Sequence, residues 1–179
     1  GCRGAGMTPL RQLDAVAVST GPGSYTGLRV GLSAGKGLCY ALSIPLIRIN
    51  TLQMMAAGVQ NSGTNLLCPM IDARRMEVFT ALYTPSLDEA MAPTNMILDE
   101  TSFATWLQEA RITFFGNGSN KAKDVIHHPN ALFAEHTATA NDMVALAAEK
   151  FLKGEFSDLA YSEPFYGKDF HSPISKKIY

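Results

Sequence analysis

A glycine-rich segment near the start of the chain holds the residue types that could bind an anion. It extends from Gly21 to Gly27, after a short apolar run and before a run with helical spacing. Backbone N–H groups in a loop that opens a helix can hold a phosphate or a carboxylate. A tight structural turn is the alternative interpretation of the same residues. The candidate cofactor-binding residues are Gly21, Gly23, Ser24, Thr26 and Gly27.

The segment fits neither of two common nucleotide-binding motifs. The dinucleotide pattern G-x-G-x-x-G requires a third glycine where Thr26 stands, one residue before Gly27. The P-loop pattern requires a glycine where Val30 stands, and Gly37 replaces the serine or threonine that binds magnesium. The segment could still hold a phosphate, but it carries neither of these nucleotide sites.

A second set of charged side chains clusters at a predicted turn. Its members are Asp72, Arg74, Arg75 and Glu77. Mixed charges in a turn could hold a ligand or a loop of another protein, or they could form local ion pairs in a solvated turn. The sequence leaves both interpretations open.

The remaining nucleophiles and metal ligands form no catalytic pattern. The histidines are His127, His128, His136 and His171, and the cysteines are Cys2, Cys39 and Cys68. No H-x-x-x-H pair is present, which disfavours a zinc hydrolase, and Ser24 does not sit in a G-x-S-x-G elbow. Three widely spaced cysteines indicate neither a disulfide framework nor a cysteine-based metal site. We predict no catalytic residues and no metal site in this chain.

The elements that position the glycine-rich segment are those of a parallel α/β unit. Apolar runs at 13–18 and 46–49 predict two strands. The residues between them predict a helix over about 28–42, which Ser43 and Pro45 end. Asn50 or Thr51 is expected to cap a further helix that extends through Val59. Strand, loop, helix, strand and helix in this order are typical of parallel sheets.

Glycines at positions 27, 31 and 35 follow one another at four-residue spacing, the first just before the helix over 28–42 and the other two within it. Each glycine in a helix interior costs about 1 kcal/mol relative to alanine. Close approach of another backbone is the usual reason for such a row, and that backbone could belong to the chain's own sheet or to another chain. The candidate interface residues are Leu28, Gly31, Leu32, Gly35, Leu38 and Cys39.

The rest of the chain predicts a second α/β lobe. Strands at 66–71 and 76–83 form an antiparallel hairpin, a loop with Pro85 and Pro93 follows, and a helix over 101–110 leads to a strand at 112–115. A final helix is expected over about 138–153. We therefore divide the chain into lobes 1–62 and 63–179, with a helix exit at 4–6.

Composition narrows the class of protein. The chain has 179 residues, 46% of them hydrophobic, and a formal net charge of −1, which excludes intrinsic disorder. No apolar run approaches the roughly 18 residues of a membrane span. Residues 1–62 carry a net charge of +4 and the remainder −5, but five dispersed cations do not make a self-sufficient nucleic-acid binder. No signal-peptide pattern opens the chain, so we expect a cytoplasmic protein.

Residues 14–31, which read D-A-V-A-V-S-T-G-P-G-S-Y-T-G-L-R-V-G, closely resemble the bacterial TsaB (YeaZ) family. The stretch A-G-K-G-L at 34–38, the hairpin I-D-A-R-R-M-E-V at 71–78 and the tail A-Y-S-E-P-F-Y at 160–166 also resemble it. The resemblance implies a two-lobed fold of the actin/Hsp70/sugar-kinase type, with ribonuclease-H-like sheets. Members of the family normally begin with strands and a helix that this chain lacks, so we expect an N-terminally truncated form.

The resemblance also implies a function. TsaB-like proteins are regarded as non-catalytic, scaffolding partners of a TsaD-type subunit, with a TsaE-type ATPase, in making threonylcarbamoyladenosine in tRNAs that read ANN codons. It further implies tRNA contact only through the complex, and ATP or ADP at the level of the complex. The alternatives are an ATPase or kinase of the same fold, or a glycoprotease-like peptidase. A third interpretation, a self-associating structural protein, comes from the glycine-carrying helix itself, which without its partner would form a homodimer as a default state.

Overall fold

The computed structural model describes residues 10–60, 63 and 65–166, which form one sheet of two strands and one of five. The predicted helix exit at 4–6, the cysteine at position 2 and the histidine at position 171 lie outside the described residues. The strands are β1 (Val16–Ser19), β2 (Leu46–Ile49), β3 (Leu66–Asp72), β4 (Glu77–Tyr83), β5 (Glu89–Ile97), β6 (Ile112–Phe115) and β7 (Ala131–Ala134). The α-helices are α1 (Tyr25–Leu42), α2 (Thr51–Val59), α3 (Ala104–Glu109), α4 (Ser119–Val125) and α5 (Val144–Lys153).

The two-stranded sheet confirms the predicted parallel unit. β1 and β2 pair in parallel, with Val16 opposite Leu46 and Ser19 opposite Ile49. On one face α1 packs through Leu32 and Cys39. On the other face α5 packs through Leu146. The sheet is thus enclosed between a helix that follows its first strand and a helix from the far end of the chain.

Capping residues set the bounds of α1 and α2. The Ser24 side chain accepts a hydrogen bond from the Gly27 N–H at 3.4 Å, so α1 begins at Tyr25, earlier than predicted. It ends at Leu42, and the next residue, Ser43, is the C-cap and adopts the left-handed conformation. The Asn50 side chain accepts from the Leu52 N–H at 2.8 Å, which identifies Asn50 as the cap of α2.

The five-stranded sheet has the order β5-β4-β3-β6-β7. Its antiparallel β3–β4 pair confirms the predicted hairpin, and β3, β6 and β7 are parallel. One face packs against Phe103 and Leu107, at the start of α3 and within it. The opposite face packs against Leu52 and Met55 of α2. Helix α2, which follows the two-stranded sheet in the chain, therefore covers one face of the five-stranded sheet.

Three elements in this part of the chain were not predicted: two strands of the sheet and one helix. β5 occupies the stretch that was expected to be a loop because of Pro93. That proline falls where the β4–β5 register shifts, and a bulge in an edge strand tolerates a residue without an N–H. The others are α4 and β7, which are only seven and four residues long. The expected final helix is divided into a 3-10 turn at Ala140–Met143 and α5.

The division into lobes at residues 62 and 63 stays a prediction, because residues 61, 62 and 64 are not described. Helix α2 packs on the large sheet through Leu52 and Met55 and on the small sheet through Met54, and α5 packs on the small sheet. Within the described ranges, no helix combines the length and the apolar character that a membrane span requires.

Candidate functional site

The inner side of α1 packs on the chain's own small sheet. Four of the six predicted interface residues lie there, all of them buried: Leu28, Leu32, Gly35 and Cys39. At Gly35 a Cβ atom would lie 2.6 Å from Cγ1 of Val18 and 3.4 Å from Cδ1 of Leu46. This glycine is therefore required by the close approach of α1 to β1 and β2.

The outer side of α1 is exposed and carries the other two predicted interface residues, Gly31 and Leu38. We define the outer face as Val30, Gly31, Ala34, Gly37 and Leu38, which share one side of the helix by their spacing. Among the described residues, nothing lies within 4 Å of a Cβ atom built at Gly31 or Gly37. Val30 is 64% exposed and Leu38 is 38% exposed. The face is apolar, smooth and uncovered within the part of the chain that the structure describes.

The glycine-rich segment is held by contacts within the chain. The Gly21 N–H donates to Oγ1 of Thr51 at 3.1 Å, and the Gly21 carbonyl oxygen accepts from the Thr51 N–H at 2.9 Å. Its φ is +113°, and a Cβ atom there would lie 2.0 Å from the carbonyl oxygen of Phe165. Gly23 also has a positive φ, and Thr26 and Gly27 lie in the exposed first turn of α1. These contacts are those of a tight turn, and binding of a cofactor here stays a prediction.

The four charged residues of the hairpin lie at the end of β3, in the turn and at the start of β4, and a lysine from another element contacts this turn. Lys121 of α4 donates to Oδ1 of Asp72 at 2.6 Å and to the carbonyl oxygen of Glu77 at 3.2 Å. The hydrogen bond from Lys121, together with the Arg74 N–H, lowers the pKa of Asp72. Arg74 and Arg75 are exposed and have positive φ angles of 72° and 49°. Sequence analysis missed Lys121 because α4 was not predicted.

A cavity of about 630 Å³ lies between α2 and the carboxyl ends of β6 and β7. Its lining includes Thr51, Asn117, Lys123 and His136. Clefts at the carboxyl ends of parallel strands are the common ligand sites of α/β sheets. Amide, ammonium and imidazole groups of this kind could bind a small polar molecule. A cluster of three or more metal-ligating side chains is not found among the described residues.

One wall of this cavity is fixed by a histidine that sequence analysis did not single out. Nε2 of His136 lies 3.2 Å from Oδ2 of Asp142, which also accepts from the Thr139 N–H at 2.7 Å. Because an ionised carboxylate only accepts, His136 donates from Nε2. A Cβ atom at Gly58 of α2 would lie 2.4 Å from the same nitrogen. The ring thus ties the loop after β7 to α2 by a contact that only tertiary structure reveals.

Comparisons with known proteins agree with the fold and with the motifs. The family model TsaD, described as tRNA N6-adenosine threonylcarbamoyltransferase, matches residues 4–169. The chain is 29% identical to the tRNA threonylcarbamoyladenosine biosynthesis protein TsaB of Bacillus subtilis, over 80% of this chain and 66% of that protein. It is 27% identical to the protein of the same name from Escherichia coli, over 89% of this chain and 72% of the other. The chain thus spans about two thirds of the length of the first relative.

Two solved structures from Pseudomonas aeruginosa share the fold. One is described as an uncharacterized protein with similarity to peptidase YEAZ, with a TM-score of 0.79, 25% identity, and coverage of 89% of this chain and 76% of that one. The other is YeaZ, with a TM-score of 0.73, 24% identity, and coverage of 88% and 76%. The fold is therefore the α/β, actin-like and ribonuclease-H-like type that the sequence predicted. The chain belongs to the family of the TsaD model and, within it, to the TsaB (YeaZ) group.

Proposed function

We propose that this chain is a non-catalytic scaffolding subunit in the biosynthesis of threonylcarbamoyladenosine in tRNAs that read ANN codons. The names of its curated relatives support a role in threonylcarbamoyladenosine biosynthesis. The match to the TsaD model supports a fold shared with the transferase. In this account the reaction takes place on a TsaD-type subunit. A TsaE-type ATPase joins the complex, ATP or ADP binds at the level of the complex, and tRNA is reached through it.

The observation that carries this proposal is the outer face of α1. Its apolar residues are exposed, and its two glycines leave room for a second helix to approach closely. A glycine in a helix costs about 1 kcal/mol relative to alanine, and at Gly31 no contact within the described chain explains that cost. Docking of the TsaD-type subunit on this face would offset it. Without that partner, the same face would support a homodimer.

The hairpin and the glycine-rich segment have a secondary role in this account. Lys121 holds Asp72 and the backbone at Glu77, so the hairpin presents Arg74 and Arg75 from a fixed base. We assign the hairpin and the segment from Gly21 to Gly27 to the shaping of the cleft next to the docked subunit.

The test replaces Gly31 by leucine and measures association with the TsaD-type subunit from the same source by size-exclusion chromatography. Gly31→Leu places a large side chain on the outer face, and we expect it to abolish the heterodimer. Ala148→Leu is the matched control, since Ala148 is an exposed residue of the helix α5. Unchanged association of Gly31→Leu, with the fold intact by circular dichroism, would overturn the proposal.

The cavity beside α2 favours one alternative, an ATPase or kinase of the same fold. Its volume of about 630 Å³ and its mixed lining of polar and apolar side chains suit a small-molecule substrate. Isothermal titration of the full-length protein with magnesium-ATP, followed by an assay for phosphate release, separates the two functions. Tight binding with turnover by this subunit alone would favour the enzyme. A casein cleavage assay tests the glycoprotease-like peptidase in the same way.

A further inference from the structure

A second cleft lies on a flank of α1 that is neither the inner side nor the outer face. It has a volume of about 300 Å³ and is formed by α1 on one side and by residues 162–166 on the other. From α1 it is lined by Tyr25, Arg29, Ser33 and Lys36, which follow one another at helical spacing. This cleft is separate from the cavity beside α2.

The wall opposite α1 is a segment without regular structure that crosses back over the small sheet. We call residues 157–166 the strap. Its Ser157 N–H donates to the Leu46 carbonyl at 2.9 Å, and its Phe165 N–H donates to the Thr20 carbonyl at 2.7 Å. Between them, Nη2 of Arg48 donates to the Glu163 carbonyl at 2.7 Å. These bonds fix the strap, so the cleft is formed before any partner binds.

The cleft is lined by two cations, Arg29 and Lys36, and by one acid, Glu163. Among the described residues neither cation makes an ion pair with a carboxylate, so the lining carries an excess of positive charge. The guanidinium of Arg29 lies 4.8 Å from the centre of the Tyr25 ring, which in turn stacks on Tyr166. A cation held in place by ring contacts loses less side-chain freedom when it binds an anion.

The spacing of the cations and the size of the cleft define what can bind. Seven residues of helix place Arg29 and Lys36 about 10 Å apart along the axis of α1. In an extended polyproline II segment, two carboxylates three residues apart project from the same side and span a similar distance, about 9 Å. A helix is itself about 10 Å wide, so a cleft of about 300 Å³ suits a single extended segment better.

We propose that the cleft between α1 and the strap binds an extended acidic segment of the subunit that docks on the outer face. The inference rests on the proposed function, because it takes the TsaD-type subunit as the partner. Arg29 binds one carboxylate through its planar guanidinium, and Lys36 binds a second as a point charge. The cleft adds an electrostatic, salt-sensitive component to the docking that the apolar outer face alone does not provide.

The first test measures the affinity of the full-length protein for the TsaD-type subunit at low and at high sodium chloride. We expect the double variant Arg29→Ala with Lys36→Ala to bind about tenfold more weakly and with a smaller salt dependence. The control is Arg11→Ala with Arg111→Ala, which removes two exposed cations outside the cleft. Equal losses in both variants, or no loss in the first, would overturn the inference.

The second test identifies the bound group. A carbodiimide joins an ammonium to a carboxylate in direct contact, and we expect a cross-link between Lys36 and an aspartate or glutamate of the TsaD-type subunit. Cross-links of Lys36 only to acids of its own chain would overturn the inference. If the variant Arg29→Ala with Lys36→Ala loses binding of inorganic phosphate but binds the TsaD-type subunit as tightly as the parent, the inference is also overturned, since the cleft would then be a small-anion site.

The outcomes separate this inference from the proposed function. If Gly31→Leu abolishes association while the Arg29 and Lys36 variant does not weaken it, only the inference fails. If the unmodified protein does not bind the TsaD-type subunit, both fail.

Discussion

Glycine has a different role on the inner side of α1 from the one it has on the outer side. On the inner side Gly35 is required, because a Cβ atom there would lie 2.6 Å from Val18. On the outer side Gly31 faces open space among the described residues. A helical glycine that costs stability without easing any internal contact points to a contact outside the described chain. The comparison therefore separates glycines that serve folding from glycines that serve assembly.

The largest contrast is expected between two leucines of α1. Leu32 is 4% exposed and packs against β1 and β2, whereas Leu38 is 38% exposed on the outer face. Leu32→Ala should lower the free energy of unfolding by about 2–5 kcal/mol, the usual cost of truncating a buried leucine. Leu38→Ala should lower it by less than about 1 kcal/mol. Urea denaturation of both variants measures this, and equal losses would contradict the two-sided account of the helix.

A smaller contrast, with opposite signs, is expected between two glycines. Gly35→Ala forces a methyl group against Val18, and we expect a loss of about 1–3 kcal/mol in the free energy of unfolding. Gly31→Ala meets nothing and favours the helix, so it should gain up to about 1 kcal/mol. Thermal denaturation of the two variants checks the signs. Destabilisation by Gly31→Ala would show that the outer side is packed after all.

The smallest effect is expected at the hairpin, where the charge of Asp72 is matched by Lys121 inside the chain. The hydrogen bond from Lys121 lowers the pKa of Asp72 in the folded state below its value in the unfolded chain. The stability that Asp72 contributes is thus present above the unfolded pKa of about 3.9 and is lost as the pH falls through the folded pKa. Asp72→Asn should cost less than about 1 kcal/mol at pH 7, as exposed pairs do.

Measuring the stability of that variant from pH 7 to pH 2 checks the prediction. The difference between Asp72→Asn and the parent should shrink as the pH falls. A difference that stays constant over this range would show that the ion pair with Lys121 does not stabilise the hairpin.

Local patterns predicted the elements that local residues determine. The β1-α1-β2 unit and the β3–β4 hairpin follow from apolar runs and turn residues, and Asn50 marks the start of α2. β5 was missed because Pro93 is tolerated only through a bulge, and that depends on the neighbouring strand. Short elements such as α4 and β7 carry too few residues for a recognisable period.

The candidate site was predictable only in part, for a related reason. Gly31 and Gly35 belong to one row of glycines at four-residue spacing, so the sequence does not distinguish them. The structure does, because Val18 lies against Gly35 and nothing described lies against Gly31. The partner of Asp72 lies 49 residues away, at Lys121. Arg29 and Glu163 face one cleft although most of the chain separates them. Such pairings arise from the tertiary fold, which leaves no mark on a local pattern.

The central claim is that the outer face of α1 receives the TsaD-type subunit. Amide hydrogen exchange of the full-length protein, alone and with that subunit, tests it most directly. The account predicts that exchange in α1 slows when the subunit is added, while exchange in β5, at the far edge of the large sheet, stays unchanged. A complex that forms without any change in the exchange of α1 would contradict it.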